Sequence, residues 1–238
     1  MAENTFFDVG NTLLGGLPLA LRSRLSSRLE AVTLNAGETL HAPYSTQRFG
    51  YFPESATVSL MHHMQNGAST EVAVTGREGM VGVALVLGQA SLQCSTVVQT
   101  SGLAWRMRIS DLRSVFLQDA LFRDALMVYA LTLMQQISQT AACNRLHNVD
   151  QRLSRWLLIC QDRAGSNIVE TTHALASALL GVRREAISIS AGRLQRHGLI
   201  RCTRGRLVIV DRNGLIDHAC ECYTQQLAPA PQRQAAYA

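Results

Sequence analysis

The 24 residues from Leu121 to Asn144 contain neither proline nor glycine. Because those two residues are the ones that interrupt helices, the segment predicts one continuous α-helix, roughly 36 Å long. Such a helix could pack against the rest of its own chain, but a two-fold helical dimer is the favoured interpretation, because apolar or small residues recur near a 3.5-residue period. The positions with that period are Leu126, Tyr129, Leu133, Ile137, Thr140 and Asn144.

The residues that precede this helix have the sequence pattern of a β-domain. From about Val32 to Ile109, apolar runs of 4–6 residues alternate with glycine- and asparagine-containing turns, a pattern typical of an antiparallel barrel or sandwich. Asn66-Gly67 predicts a two-residue hairpin. Before the β-region, leucines four residues apart after Pro18 predict a short helix.

The residues after the long helix predict a winged helix-turn-helix. Asn148 and Asp150 break the helix before a second amphipathic one that starts at Gln151. Thr172 is a suitable N-cap for a helix over 173–180, Gly181 for the turn, and Gly198 for the end of a helix over 183–197. Two short strands around Arg204-Gly205 then form the wing.

Positive charge is concentrated in that same segment. All 22 basic residues are arginines, and the net charge is +5. Residues 145–212 contain 12 arginines against 5 acidic residues, whereas residues 1–144 contain 9 against 10. This distribution is expected of a nucleic-acid-binding domain.

The second helix of the motif is the predicted recognition helix. The arginine side chain can bind guanine with two hydrogen bonds, and glutamate can accept one from cytosine. The predicted base-reading residues are Arg183, Arg184, Glu185, Ser188 and Ile189, and the predicted phosphate contacts are Thr172, His173, Arg193, Arg196, Arg204 and Arg206. The predicted apolar contact between the helices comprises Leu175, Ala176, Leu179, Val182, Ile187, Ala191 and Leu194.

Over residues 12–224 the order of elements resembles the cyclic-AMP receptor protein/FNR (Crp/Fnr) family of bacterial transcription regulators. The resemblance rests on five blocks in the right order: the run Gly76 to Gly82, Gln151 to Leu158, Leu180 to Glu185, Leu194 to Ile200, and Ala219 to Tyr223.

The resemblance implies an α+β protein with four parts. These are an N-terminal cyclic-nucleotide-binding-like β-roll (jelly-roll barrel) over 1–118, a dimerisation helix over 119–147, a winged helix-turn-helix over 148–224 and a disordered tail over 225–238. It implies a homodimer on a near-palindromic operator in double-stranded DNA, and RNA polymerase as a further partner if the output is activation. Arg184, Glu185 and Ser188 match the family's base-reading pattern, but Ile189 stands where the family has arginine. A contact between Ile189 and a thymine methyl group could replace the missing hydrogen bonds.

The expected effector pocket comprises Gly82, Val83, Cys94, Ser95 and Thr96. Family members that bind cyclic AMP have a glutamate after the glycine and an Arg-Ser pair in the next strand, which hold the ribose and the cyclic phosphate. Here Val83 and Cys94-Ser95 replace them, so a buried phosphate would lack its charge-assisted partner. Cyclic AMP is therefore not expected in the usual manner, no cofactor is predicted and the effector is unknown.

The sequence leaves other means of regulation undecided. They are binding of a cyclic dinucleotide, binding of haem by His62-His63-Met64, and thiol redox chemistry at Cys94. Regulation without any small ligand is the remaining alternative. A nucleotide-binding regulatory module without DNA function is the rival interpretation, but it gives the winged helix no role. The N-terminal cysteine cluster that FNR uses for an iron–sulfur cluster is absent.

Several classes of protein are not expected. The sequence contains no nucleophile elbow, P-loop, zinc-protease motif or dinucleotide fingerprint, so an enzyme is not predicted. The six cysteines include no CxxC pair, so no metal site is predicted. With no long apolar run and no basic leader, the expected location is the cytoplasm, without a membrane.

Overall fold

The computed structural model of this chain describes residues 10–88, 91 and 93–227. The chain forms two compact units, Met1–Met134 and Gln135–Ala238. No helix within the described residues is long and apolar enough to cross a membrane.

The first unit is a two-sheet β-roll with flanking helices. Its strands are β1 (Glu30–Leu34), β2 (Thr39–His41), β3 (Phe49–Pro53), β4 (Thr57–His63), β5 (Ser69–Thr75), β6 (Ser95–Thr100) and β7 (Gly102–Arg108). They form two antiparallel sheets with the strand orders β1-β7-β3 and β2-β6-β4-β5. The helices are α1 (Thr12–Gly15), α2 (Leu19–Ser26), α3 (Val83–Val86), α4 (Ile109–Gln118) and the start of α5 (Ala120–Leu146).

The β4–β5 hairpin shows how turn chemistry sets the register. The Met64 amide donates to the Ala68 carbonyl at 2.8 Å, and Gly67 has φ of 83°. The loop therefore contains the three residues between Met64 and Ala68, with glycine at its left-handed position, a common hairpin type. The prediction of a two-residue loop at Asn66-Gly67 is wrong, although the hairpin itself is confirmed.

The first part of α5 closes the core of this unit. Phe122, Leu126 and Tyr129 are buried with the leucines of α1 and α2. The Tyr129 hydroxyl lies 3.0 Å from the Thr75 hydroxyl. A Cβ atom at Gly79 would lie 2.1 Å from the Tyr129 ring, so the backbone can approach the helix here because residue 79 is glycine.

The second unit is a small helical domain with a three-stranded sheet in the order β8-β10-β9. It contains the end of α5, α6 (Val149–Ala164), β8 (Ile168–Glu170), α7 (His173–Leu180), α8 (Arg184–Arg196), β9 (Ile200–Thr203), β10 (Arg206–Ile209), α9 (Arg212–His218) and α10 (Cys222–Leu227). The sequence predicts β9 and β10 but not β8, which has only three residues. Residues 225–227, assigned to the tail from sequence, belong to α10, and residues 228–238 of the predicted tail lie outside the described residues.

Caps explain where the helices of this unit begin. Asn148 and Gln151 form a reciprocal capping box at the start of α6, and Gly165 ends that helix in the left-handed conformation. The Asn148 break predicted from sequence is thus an N-cap. Together the β-roll, long helix and winged domain confirm the predicted α+β fold class.

Candidate nucleic-acid interface

The α7–turn–α8 motif is fixed by its caps and by one apolar contact. The Thr172 side chain accepts from the Leu175 amide at 3.1 Å and begins α7. Gly181 turns the chain with φ of 62°. Ala176, Leu179, Ile187, Ala191 and Leu194 are buried between the helices, as the sequence predicts. Leu175, placed in that contact from sequence, is instead 45% exposed, because it lies on the outer face of the first turn of α7.

Buried Arg152 of α6 contacts the end of the first helix of this motif. Its guanidinium donates to the Leu180 carbonyl at the end of α7. A cation at a helix C-terminus interacts favourably with the unpaired carbonyls and with the helix dipole. Arg152 therefore holds the end of α7, and with it the turn that sets the direction of α8.

The outer face of α8 carries the predicted base-reading residues. Arg184, Glu185, Ser188 and Ile189 are all exposed, while Ile187 and Ala191 of the same helix are fully buried. Arg183, also exposed, is the N-cap residue. The structure thus brings the five predicted residues together in the first turn and a half of one helix. Ile189, 57% exposed, is free for the thymine contact considered from sequence.

One polar contact orders this face. His173 Nδ1 lies 2.9 Å from the Ser188 hydroxyl, which also donates to the Arg184 carbonyl at 3.2 Å. His173 therefore links the first turn of α7 to the middle of the predicted reading surface.

Arg193 is held within the protein rather than left for a phosphate. Its guanidinium donates two hydrogen bonds to the Asp150 carboxylate of α6, at 2.6 and 2.8 Å. Partial burial acts to raise the pKa of Asp150, but the hydrogen bonds and the charge of Arg193 outweigh it and lower that pKa. The Asp150 carboxylate therefore competes with a DNA phosphate for Arg193.

The other predicted phosphate contacts lie at the motif's edges. Arg196 and Arg204 are exposed, at the end of α8 and at the tip of the β9–β10 turn. Arg206 forms a 3.2 Å ion pair with Glu170 across β10 and β8, in which both side chains are more than half exposed. Arg201 is a further exposed arginine on β9 that was not predicted from the sequence as a contact. Because the side chains of a strand alternate between its two faces, its outward position could have been predicted.

The expected effector pocket is a small cavity in the first unit. Gly82, Val83, Cys94 and Thr96 line it, but the side chain of Ser95 does not. Ser95 instead lies 2.6 Å from His63 Nε2, on the other face of β6. The cavity volume is about 130 Å³, and none of the described lining residues is charged. The lining comprises Val58, Leu60, Thr75, Met80, Val81, Gly82, Val83, Ala84, Gln93, Cys94, Thr96 and Leu133.

The Cys94 thiol at this cavity is not an activated one. Its sulfur lies 3.5 Å from His62 Nδ1. Burial raises the pKa of Cys94, which disfavours the thiolate needed for redox chemistry. Met64, the third residue of the haem hypothesis, lies in the hairpin turn and is 57% exposed.

The α5 residues predicted to form a dimer contact face two ways. Leu126 and Tyr129 are buried in the core of their own unit, and Leu133 packs on the same core. The β-roll of their own unit thus covers Leu126 and Tyr129, whereas Leu133 is only partly covered. Ile137 and Thr140 are half-buried. A different face is exposed, with Met127, Val128, Leu131 and Met134 between 44% and 63% exposed.

The comparisons with known proteins agree with this architecture. Residues 151–217 match the family of Crp-like helix-turn-helix domains. The second unit therefore contains a Crp-like helix-turn-helix domain. Such a domain is typical of DNA-binding transcription regulators of the Crp/FNR type.

Solved Crp/FNR structures share the fold at low sequence identity. A protein described as a Crp/FNR-family regulator from Eubacterium rectale superposes with a TM-score of 0.72 at 16% identity, over 93% of this chain and 100% of that one. FixK2 from Bradyrhizobium japonicum gives 0.69 at 13%, over 85% and 99%. The c-di-GMP-responsive regulator CLP from Xanthomonas campestris gives 0.66 at 16%, over 81% and 99%. No curated protein matches the sequence.

Proposed function

We propose that this Crp/FNR regulator acts as a homodimer and reads a near-palindromic operator through α8. The exposed face of α8 is the observation that carries the proposal. It presents two arginines, a glutamate and a serine in its first turns, while its opposite face is buried. This is the polarity of a helix that enters a major groove with its N-terminal residues at the base edges.

The first test separates base reading from phosphate binding. Arg184→Ala should weaken binding to the operator by about 1–3 kcal/mol and binding to random DNA by little. The reason is that arginine forms its two hydrogen bonds only where a guanine stands at the matching position. The measurement is fluorescence anisotropy with the full chain on both duplexes. An equal loss on both would reassign Arg184 to the phosphate backbone.

Arg204→Ala is the matched comparison. Exposed Arg204 lies at the tip of the wing turn beside Gly205, so it should contact phosphate and carry no sequence information. Its loss should weaken both duplexes alike and reduce the salt slope by about one.

The exposed apolar face of α5 supports the homodimer. Met127, Leu131 and Met134 recur at the spacing of a coiled-coil seam and are each about half exposed. Crp/FNR regulators typically bind DNA as dimers, and a second copy of this helix is the partner whose surface would match.

The sensor cavity supports regulation without cyclic AMP. A cavity of similar size, ~150 Å³, in another protein accommodates benzene, so 130 Å³ does not hold a cyclic nucleotide unless the unit opens. No charged side chain among the described lining residues is available to neutralise a phosphate. The proposed effector, if the cavity has one, is a small uncharged molecule.

A further inference from the structure

Four potential metal ligands converge in the second unit, where the sequence predicts no metal site. Cys143 and His147 lie one helical turn apart at the end of α5, so their side chains share a face. Cys220 and Cys222 lie between the end of α9 and the start of α10. The three sulfur atoms and a ring nitrogen of His147 all lie within 4.8 Å of one another.

The spacing of these atoms fits a tetrahedral ion. The sulfur atoms of Cys143 and Cys220 are 3.6 Å apart, and Cys222 Sγ is 3.6 Å from His147 Nδ1. Zinc binds sulfur at about 2.3 Å and histidine nitrogen at about 2.0–2.1 Å, so the edges of its tetrahedron measure roughly 3.5–3.8 Å. The cluster therefore needs little rearrangement to surround one ion.

The surroundings orient the ligands as an outer shell does in metal sites. His147 Nε2 lies 3.2 Å from the Glu221 carboxylate, which leaves Nδ1 facing the sulfur cluster. A carboxylate on the far ring nitrogen is the usual partner of a zinc-binding histidine, because it fixes the tautomer. The Gln139 amide also donates to Cys222 Sγ at 2.8 Å.

The burial of the three cysteines and the positive charge of Arg152 also support a metal site. Cys143, Cys220 and Cys222 are at most 3% exposed. Three thiolates and one divalent cation would carry a net charge of −1. Buried Arg152 interacts electrostatically with Cys143 and Cys220, and its Nε atom has no hydrogen-bond partner among the described residues. A guanidinium buried in this way is stabilised by a nearby negative charge.

We propose that Cys143, His147, Cys220 and Cys222 bind one Zn²⁺ as a closed structural site. Each of the three thiols loses a proton to solvent and the neutral imidazole supplies the fourth ligand, so binding releases three protons. With four protein ligands and buried sulfur, the site leaves no open position for catalysis. The ion ties the last turn of α5 to the segment after α9. This proposal goes beyond DNA recognition and does not depend on it.

Metal content of the full chain is the direct measurement. The protein is purified from zinc-supplemented cells under reducing conditions, dialysed, and analysed by inductively coupled plasma mass spectrometry. The expected result is about one zinc per chain, lost in Cys222→Ser and kept in the matched control Cys202→Ser, because Cys202 lies outside the cluster on β9.

Two further measurements do not require a ligand variant to fold. The wild-type chain reconstituted with Co²⁺ should show the intense visible absorption of tetrahedral cobalt and a thiolate charge-transfer band. Glu221→Gln keeps all four ligands and should weaken zinc affinity about 10–100-fold, measured by competition with a chromophoric chelator.

Any of three outcomes would overturn the site. One is reduced, folded wild-type protein that retains no zinc and gives no tetrahedral cobalt spectrum. A second is zinc content that is unchanged in Cys222→Ser. A Cys143–Cys220 disulfide in protein isolated without oxidant would also overturn it, since both sulfurs would then be unavailable. None of these readouts involves DNA, so a failure of operator binding would leave the result on zinc intact.

Discussion

Asp150 determines how much positive charge α8 offers to a phosphate backbone. Its carboxylate accepts both hydrogen bonds of Arg193. Asp150→Asn should release Arg193, raise affinity for random DNA and steepen the salt dependence by about one unit of slope, because one more phosphate is neutralised. Anisotropy titrations over a salt series measure this. The free energy of unfolding should fall only slightly, since the pair is partly exposed and is screened by solvent.

The control for this prediction is Arg193→Ala in the native background. It should leave the salt slope unchanged, because Arg193 is already engaged. A slope reduced by one would show that Arg193 leaves Asp150 on DNA binding. The pKa of Asp150 is lowered in the folded state, so the pair's stabilisation is complete above the ordinary aspartate pKa. It is lost as pH falls through the lowered value, and Asp150→Asn should lack that acid dependence.

For individual residues, the sequence predicts the exposure of a side chain better than it predicts the partner of that side chain. The exposed face of α8 follows from its 3.6-residue period, so Arg184 and Ser188 could be assigned. The partner of Arg193 could not, because Asp150 lies 43 residues away in the chain. The cysteine cluster was missed for the same reason, since Cys143 and Cys220 are 77 residues apart and no CxxC pair marks them.

The long helix α5 has two apolar faces, and the sequence does not tell which of them would form a dimer contact. One face, with Leu126 and Tyr129, is covered by the β-roll of its own unit. The other, with Met127, Leu131 and Met134, is exposed. The period of apolar residues in the sequence identifies an apolar face of the helix, but it does not tell which part of the protein covers that face. The residues that the β-roll covers were therefore predicted to form the dimer contact.

A charge on the exposed face should therefore separate the proposed dimer. Leu131→Glu would place two carboxylates in an apolar seam, a burial that ionised groups resist. Sedimentation velocity should show a monomer, and affinity for a two-half-site operator should fall more than affinity for one half-site. Leu117→Glu is the control, because Leu117 is 75% exposed on α4 and lies outside the seam. An intact Leu131→Glu dimer would exclude this face as the contact.

For the whole molecule, the order of elements predicted the fold because each part has its own period. Alternating short runs predicted an antiparallel barrel or sandwich, an uninterrupted run predicted α5, and caps with glycine turns predicted the winged domain. The β-roll itself was implied only by the family resemblance. Strands β2, β3 and β8 were not distinguished, since they have three to five residues and are defined by their pairing partners. For the cavity of the first unit, the sequence predicted only that cyclic AMP is not bound in the usual manner, because other residues replace the nucleotide clamp.

That negative prediction can be tested on the intact regulator. The affinity of the full chain for its operator should change less than about twofold when cyclic AMP is added. The reason is that the cavity of about 130 Å³ offers no charged side chain among its described lining residues, and an unpaired buried phosphate is strongly disfavoured. Anisotropy titrations with cyclic AMP, and with linear AMP as the control, measure this. Tenfold tighter binding with cyclic AMP alone would correspond to about 1.4 kcal/mol of coupling. Such coupling would require the β-roll to open and to supply a phosphate clamp from residues other than Val83 and Cys94.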